Sequence, residues 1–409
     1  MRNLVVLKFG GSVLDGPVSL QKAARFVQDL ASTDKVVVVV SALKGATDGL
    51  LALAGERETL SHPEQLAQLL SMGERTAARA FLIAMLKMKL DVRLVDVDTP
   101  LWPIITEEGP LDAAPLFEET KRNCEKLLLP LLEEGVIPVV CGFIGKSRKG
   151  QITTLGRGGS DVSATLLGKC LGAREVVLVK DVSGVSSSDP DHVKNARRLS
   201  EIKLEELGSL ASTGAKVVSR AALGFVEGYN LRITSMEQGL NGGTVVAAPA
   251  RPPGKISIAS SEASMITIIG SDVTRAYPAL LSLLSELKIT PLAASFNNTT
   301  AIIYADGKAD PERVHSLVDQ GLVRAVAVRH GLSCLLLSGG QFENTPGVLS
   351  SFTEALYSHG VNVFSLSTLG DSAKIFVLSS SAEKAKQVIA RSLGLASKKN
   401  SQVQKAHEK

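Results

Sequence analysis

The sequence Lys-Phe-Gly-Gly-Ser occupies residues 8–12, and the sequence Thr-Thr-Leu-Gly-Arg-Gly-Gly-Ser-Asp occupies residues 153–161. We expect each segment to follow a buried strand and to lead toward a helix. A Gly-Gly pair at such a junction lets backbone N–H groups approach a polyphosphate closely, and Lys8 and Arg157 add positive charge. A single pair of this kind is usually an ordinary turn. Two of them with charged neighbours predict one site with a phosphate half and a carboxylate half.

The composition places this site in a globular protein of more than one domain. The chain has 409 residues, of which 44% are hydrophobic and 21% charged, so we expect two or three domains. The net charge of +4 includes +3 from residues 396–409, which we expect to be a disordered tail. The rest of the chain is therefore near neutral, which argues against a nucleic-acid partner.

The sequence also argues against a membrane partner and against a protein-held metal. No apolar run is long enough to span a membrane, and the first residues are not typical of a signal peptide. The four cysteines lack the spacing of a metal site, so we interpret them as buried, reduced thiols. We therefore expect a cytoplasmic protein. These cysteines are Cys124, Cys141, Cys170 and Cys334.

Short apolar runs alternate with longer amphipathic stretches over residues 4–248, which predicts an α/β domain with a largely parallel sheet sandwiched by helices. Ligands bind at the carboxyl ends of the strands of such a sheet, where Gly10, Thr47, Phe143 and Asp181 lie. The predicted strands are residues 4–8, 36–41, 92–95, 136–141, 176–179, 231–234 and 244–246. The predicted helices are residues 19–31, 65–87, 116–134, 161–171, 203–210 and 214–228.

A second region follows the first. Residues 249–254 are rich in proline and predict a linker after a domain over residues 1–248. Beyond it, the order strand, helix, strand, strand occurs over residues 265–304 and again over residues 334–378. Residues 255–395 therefore contain a tandem repeat of a small α+β unit.

Several polar residues near the glycine segments suit phosphate or amino-acid chemistry, although each has a plainer interpretation. Lys8 could neutralise the β- and γ-phosphates of a nucleotide, or it could be an edge-strand lysine. Arg157 can bind both oxygens of a substrate α-carboxylate, and Ser160 can donate to the same group. Asp161 and Thr47 could simply cap helices. Glu74 and Arg75 could likewise form an ordinary ion pair in contact with solvent.

Taken together, these segments resemble the amino-acid kinase superfamily, and their residues are most similar to those of the aspartate kinases. The similarity is sharpest at residues 8–12, 71–75, 153–165 and 214–217. It implies that Asp161 is the catalytic aspartate and holds Lys8, also catalytic, in register. It further implies that the amino-acid substrate is bound by Thr47, Glu74, Phe143, Arg157 and Ser160.

The nucleotide half of the site matches the family less closely. Ser186 stands where many members have an aromatic residue beside the adenine, and Asp191 stands where a phosphate-binding arginine is usual. The resemblance nevertheless implies a set of nucleotide-binding residues, namely Lys8, Gly10, Gly11, Ser12, Lys180, Asp181, Ser186, Lys216 and Val217.

The activity implied by the resemblance is ATP-dependent phosphorylation of the L-aspartate side chain to 4-phospho-L-aspartate, with Mg²⁺ bridging the phosphates. This is the first step toward lysine, threonine and methionine. Two alternatives stay open: a catalytically weak or inactive amino-acid sensor, and another carboxylate kinase such as glutamate 5-kinase or N-acetylglutamate kinase.

The repeat after residue 254 resembles paired ACT domains, which associate across subunits and bind amino acids. By resemblance, the first unit spans residues 263–330, and the second combines residues 255–262 with residues 331–395. We therefore expect a homodimer or higher homo-oligomer with a lysine or threonine effector. The expected effector-binding residues are Asp272, Asn297, Asn298 and Thr299.

Overall fold

The computed structural model of the chain describes residues 2–55, 61–190, 192–212, 218–247, 256–338, 347–369 and 372–393. The chain divides into two compact units, Met1–Arg251 and Pro252–Lys409. The predicted linker and the predicted disordered tail lie outside the described residues. Among the described helices, none combines the length and the apolar character needed to cross a bilayer.

The first unit is built from strands and helices that alternate along the chain. Its described strands are β1 Leu4–Phe9, β2 Lys35–Val40, β3 Val92–Val95, β4 Ile105–Thr106, β5 Ile137–Cys141, β6 Ile144–Ser147, β7 Ile152–Thr154, β8 Glu175–Val179, β9 Glu201–Lys203, β10 Asn230–Thr234 and β11 Thr244–Ala247. Its described helices are α1 Pro17–Ala31, α2 Ala46–Ala54, α3 Pro63–Lys87, α4 Phe117–Leu127, α5 Leu129–Glu133, α6 Gly159–Leu171, α7 Leu204–Ser212 and α8 Arg220–Leu223.

The main sheet of this unit has the strand order β3-β5-β2-β1-β8-β10-β11-β9. The first six strands in that order run parallel, whereas β11 is antiparallel to β10. The carboxyl ends of β1, β2, β5 and β8 therefore lie at one edge of the sheet. A smaller sheet of β4, β6 and β7 was not predicted.

Strands β1 and β2 lie in the interior of the main sheet. They are buried along almost their whole length, and successive side chains of a strand point to opposite faces, so both faces of the sheet are covered. This accounts for their continuous apolar runs. The four cysteines are buried free thiols, as predicted.

Two helix predictions in this unit were wrong in extent. The helix predicted over residues 116–134 is divided into α4 and α5, because Pro130 has no N–H to continue the hydrogen bonding of α4 and instead opens α5. Of the helix predicted over residues 214–228, only α8 is found among the described residues. Helix α2 was not predicted.

The second unit contains one six-stranded antiparallel sheet with four described helices. Its strands are β12 Ile256–Ile269, β13 Pro291–Phe296, β14 Thr300–Asp306, β15 Ala325–Ser338, β16 Val363–Leu369 and β17 Ser372–Leu378, in the order β13-β14-β12-β15-β17-β16. Its helices are α9 Val273–Glu286, α10 Pro311–Asp319, α11 Val348–Ser358 and α12 Ala382–Ser392. Helices α10 and α12 were not predicted.

The two long strands β12 and β15 each contribute to three described hydrophobic cores, two of which include residues of the helices. Ile266 and Leu280 belong to one core with Val314, whereas Leu335 and Phe352 belong to another. The start of β12 packs against the second core through Ile256 and Ile258, while its end lies in the first. Register shifts between Ile258 and Met265 mark the change from one part of β12 to the other.

Candidate active site

The first glycine segment lies at the carboxyl end of β1, where three loops meet. The N–H of Gly10 donates to the carbonyl oxygen of Val179 at 3.0 Å, which ties the segment to the end of β8. A Cβ atom at Gly11 would lie 2.1 Å from the carbonyl oxygen of Ala42, in the loop after β2. Only glycine allows this approach of two backbones. Ser12 is half-buried in the turn that follows.

The second glycine segment forms the start of α6. Gly158 is the N-cap residue with φ +72, a left-handed conformation that favours glycine, and a Cβ there would lie 2.4 Å from the Cβ of Ser219. Asp161 lies within the first turn of the helix. The alternative in which Asp161 caps the helix was therefore wrong, because its carboxylate has other partners.

Those partners are two lysines. The Nζ of Lys8 lies 2.8 Å from Oδ1 of Asp161, and the Nζ of Lys180 lies 2.9 Å from Oδ2. Lys8 and Asp161 are 6% and 4% exposed, so Lys8 is not an edge-strand lysine. Burial by itself would raise the pKa of Asp161, but the two ammonium groups outweigh it and lower the pKa to about 2. The carboxylate is therefore ionised, and it joins the two glycine segments.

Glu74, on α3, is the second buried carboxyl group of this cluster. It is 3% exposed, and burial raises its pKa to about 7, against the lowering effects of the Ala42 backbone, Lys8 and Ser160. Its Oε2 has no hydrogen-bond partner among the described residues. A buried carboxyl group with an open acceptor can receive a substrate ammonium group.

The alternative in which Glu74 and Arg75 form a solvated ion pair was wrong. Arg75 instead contacts the buried Asp96 at the end of β3, with Nε 3.0 Å from Oδ1, and also the exposed Asp98. Arg79, one turn further along α3, places Nη2 2.6 Å from Oδ2 of Asp96. The prediction missed Asp96, although its position directly after a predicted strand was a usable signal.

The other substrate-side residues occupy different positions in the site. The Ser160 hydroxyl lies 3.1 Å from that of Ser41, which the prediction missed. Phe143 has φ +67 in the turn after β5. Thr47 is the second residue of α2, whose N-cap is Gly45, so the capping role was wrong. Arg157 is exposed and has no hydrogen bond or ion pair within the described part of the chain.

The predicted nucleotide residues beyond β8 are only partly described. Lys180 is partly buried and forms the ion pair with Asp161, whereas Asp181 is exposed. Ser186 forms an isolated antiparallel bridge with Arg198. Three positions lie outside the described residues, namely Asp191, Lys216 and Val217.

The predicted effector residues lie in two adjoining loops of the second unit. Asp272 caps α9 by accepting from the N–H of Thr274 at 3.1 Å. Asn297 accepts from the N–H groups of Thr299 and Thr300, both at 2.9 Å. The two loops are joined because the N–H of Val273 donates to the carbonyl oxygen of Asn298 at 3.1 Å. All four predicted residues are exposed.

Comparison with known proteins decides the family. The model of the amino acid kinase family matches residues 3–235. An aspartokinase of Geobacillus stearothermophilus is 30% identical over 380 residues, which cover 88% of this chain and 89% of the relative. The chain belongs to the amino acid kinase family and, within it, to the aspartokinases.

Solved structures of aspartokinases share its fold. The aspartate kinase from Synechocystis has a TM-score of 0.77 and 23% identity over 97% of this chain and 71% of that chain. E. coli aspartokinase III in complex with aspartate and ADP has a TM-score of 0.56 and 23% identity over 96% of this chain and 100% of that chain. In complex with lysine and aspartate it has a TM-score of 0.53 and 24% identity, with the same coverage. The predicted amino-acid kinase fold with a C-terminal α+β region of the ACT type is confirmed.

Proposed function

We propose that this aspartokinase transfers the γ-phosphoryl group of ATP to the side-chain carboxylate of L-aspartate, giving 4-phospho-L-aspartate. The observation that carries the proposal is the buried ion pair of Lys8 and Asp161, with 2.8 Å between Nζ and Oδ1, at the meeting point of the two glycine segments. This pair supplies a fixed cation beside the glycine segments, which suits a polyphosphate.

The reaction needs alignment and charge neutralisation more than proton transfer. A carboxylate is already a nucleophile, so it attacks the γ-phosphorus without a general base. Lys8 takes up the negative charge that builds on the β–γ bridging oxygen as the bond to ADP breaks, and Lys216 is proposed to assist it. Asp161 keeps Lys8 in position, since its pKa of about 2 leaves it ionised.

The amino-acid substrate is held at its two ends. Glu74 accepts a hydrogen bond from the α-ammonium group. This bond gives its Oε2 the partner that it lacks among the described residues. Arg157 binds the α-carboxylate through its planar fork, with Ser160 as a second donor and with Thr47 and Phe143 bounding the site. The side-chain carboxylate is then left facing the γ-phosphate.

Mg²⁺ enters as part of the ATP complex. Among the described residues no group of three His, Cys, Asp or Glu side chains could hold a metal ion. Both oxygens of Asp161 already contact lysines. Magnesium is commonly bound through substrate phosphates with few protein ligands, so the described residues fit a substrate-borne ion.

The second unit is proposed to regulate the enzyme. E. coli aspartokinase III has been solved in complex with lysine and aspartate, which supports lysine as effector and leaves threonine as the alternative. We place the effector at Asp272 and residues 297–299, and the two ACT units at residues 263–330 and at 255–262 with 331–395. We also propose a homodimer or higher homo-oligomer in the cytoplasm, at the first step toward lysine, threonine and methionine.

A coupled assay of ADP release tests the proposal. Purified protein is given ATP with aspartate, glutamate or N-acetylglutamate, each with and without lysine and threonine. Of the three amino acids, only aspartate is expected to cause release of ADP. Lysine or threonine is expected to inhibit that release. Release with glutamate in place of aspartate, or with no amino acid at all, would contradict the proposed substrate.

A further inference from the structure

The loop after β8 folds back on itself as a short antiparallel ribbon of residues 185–187 and 197–199. Two backbone hydrogen bonds, both 2.8 Å long, close this ribbon. Between these bonds, Ser186 and Arg198 lie opposite each other in an antiparallel bridge. Opposed residues of an antiparallel pair present their side chains on the same face, and the side chains are closest where the pair itself exchanges no hydrogen bond. Ser186 and Arg198 therefore share one face of the ribbon.

The ribbon is anchored at the carboxyl edge of the parallel sheet. The N–H of Val185 donates to the hydroxyl group of Thr244 at 2.8 Å. Thr244 opens β11 and is paired with Ile233, close to the end of β10. Since residues 180–184 connect the ribbon to the end of β8, it lies beside the carboxyl ends of both β8 and β10.

The order of the strands indicates which part of the nucleotide reaches this ribbon. The proposed amino-acid site includes Thr47 and Phe143, which follow β2 and β5, whereas the proposed phosphate site is at the end of β1. In the sheet order β5-β2-β1-β8-β10, the phosphates therefore lie between the amino acid and the ribbon. The attacking and leaving oxygens of a phosphoryl transfer lie roughly in line, so the rest of the nucleotide extends away from the amino acid. That direction leads to the ribbon.

Arg198 provides a planar group on the face that it shares with Ser186. Residues 180–200 contain no Phe, Tyr or Trp, so no such ring of this loop can stack on a base. A guanidinium group is also planar, and it stacks on aromatic rings. The Nη1 of Arg198 donates to the carbonyl oxygen of Gly243 at 2.9 Å, which restricts the guanidinium group. The side chain is exposed, and within the described ranges it takes part in no ion pair.

We propose that the guanidinium group of Arg198 stacks on the adenine base of ATP, which makes Arg198 a nucleotide-binding residue. This inference rests on the proposed function. The bond to Gly243 holds one edge of the guanidinium group and leaves its flat faces for a ring. The small side chain of Ser186 leaves room for the base on the shared face. The contact makes and breaks no covalent bond, so it acts on nucleotide affinity.

Two variants of Arg198 separate stacking from charge. Calorimetry measures the binding of ADP and of inorganic tripolyphosphate, each with Mg²⁺. Arg198→Ala and Arg198→Lys should each weaken ADP binding roughly tenfold, because lysine keeps the charge but has no planar group. Both variants should bind tripolyphosphate like wild type, because it has no base. Arg197→Ala is the matched control and should bind ADP like wild type, because adjacent residues of an extended chain point to opposite faces.

A second substitution on the same face gives a readout that a purely structural role of the bond to Gly243 would not move. Adding Ser186→Trp to Arg198→Ala supplies a new ring for stacking, so the double variant should recover most of the affinity for ADP. Failure of this recovery would overturn the inference. So would wild-type affinity for ADP in Arg198→Lys, or an equal loss of affinity for tripolyphosphate and ADP in Arg198→Ala.

Folding and catalysis are checked separately. If circular dichroism shows that Arg198→Ala and Arg198→Lys both fail to fold, Arg198 is structural and the inference is overturned. If wild-type protein binds no ADP, both the inference and the proposed function are wrong. If the variants bind as expected but wild-type protein releases no ADP from ATP with aspartate, the inference stands and the proposed function is refuted.

Discussion

The ammonium group of Lys8, in β1, and the carboxylate of Asp161, in the first turn of α6, form a buried ion pair at 2.8 Å. This contact joins the two glycine segments into one site. Since the pair is almost inaccessible to water, its Coulombic attraction is screened less than that of an exposed ion pair, and removing one member leaves the other charge buried without it.

Removal of either member should abolish most of the activity. Lys8→Ala deletes one electrostatic contact of the site, and Asp161→Asn removes the negative charge that both Lys8 and Lys180 contact. The loss of one such contact costs about 3 kcal/mol of transition-state stabilisation, so each variant should lower kcat at least roughly a hundredfold. The measurement is ADP release at saturating aspartate and ATP. Lys149→Ala, at an exposed lysine 3.6 Å from Glu108, is the control and should behave like wild type. Wild-type turnover in either folded mutant would refute the catalytic assignment.

The glycine at position 11 should be required for the fold. In Gly11→Ala the new methyl group would fall 2.1 Å from the carbonyl oxygen of Ala42, so one backbone has to move. We expect a loss of about 1–3 kcal/mol in the free energy of unfolding by urea. Gly49→Ala is the matched control, because a Cβ there meets nothing within 4 Å and lies inside α2. It should stabilise the protein by about 0.5–1 kcal/mol, and an equal response of both variants would contradict the explanation.

The stability of the free enzyme should depend on pH through Glu74. Its pKa is about 7 in the folded protein and has an ordinary value of 4.5. Between these values the folded protein keeps a proton that the unfolded chain has lost. The contribution of Glu74 to the free energy of unfolding therefore falls as pH rises through this window, by on the order of 3 kcal/mol.

Glu74→Gln should remove this contribution, so the stability difference between the variant and wild type should change across pH 4.5–7 in favour of the variant. Urea unfolding at a series of pH values measures it. Glu125→Gln, at a surface glutamate, is the control and should run parallel to wild type. A constant difference between Glu74→Gln and wild type across the window would contradict the burial of an ionisable Glu74.

Aspartate binding should respond to pH in the opposite sense. The substrate ammonium group binds the ionised form of Glu74, so the KM for aspartate should rise as pH falls below about 7. Steady-state kinetics over this range would measure the effect. In Glu74→Gln the KM should be high at every pH, and a retained pH dependence would assign the titration to another group.

Asp96 should act on the same substrate through α3. Asp96→Asn replaces a carboxylate, 1% exposed, that receives Arg75 and Arg79 from successive turns of the helix bearing Glu74. We expect a loss of about 1–3 kcal/mol in unfolding free energy and a several-fold rise in the KM for aspartate, with kcat little changed. Asp98→Asn removes the exposed partner of Arg75 and should change stability by no more than about 0.5 kcal/mol. If Asp96→Asn and Asp98→Asn had equal effects on stability and on the KM for aspartate, Asp96 would not position Glu74.

The local sequence was sufficient to predict the parallel sheet and the two glycine segments. Continuous apolar runs such as those of β1 and β2 are required when both faces of a strand are buried, and glycine is required where backbones meet, as at Gly11. Both requirements act within a few residues, so they can be recognised in the chain itself. The small sheet of β4, β6 and β7, whose strands have two to four residues, was not predicted.

The charged partners, in contrast, were decided by the tertiary structure. Lys180 meets Asp161, and Arg75 turns from Glu74 to Asp96, because the strand order brings residues far apart in the chain to one edge of the sheet. Burial then sets the pKa of Glu74 near 7, which no spacing of residues encodes. Ion pairing and desolvation depend on distance in space, whereas periodicity and turn chemistry depend on neighbours along the chain.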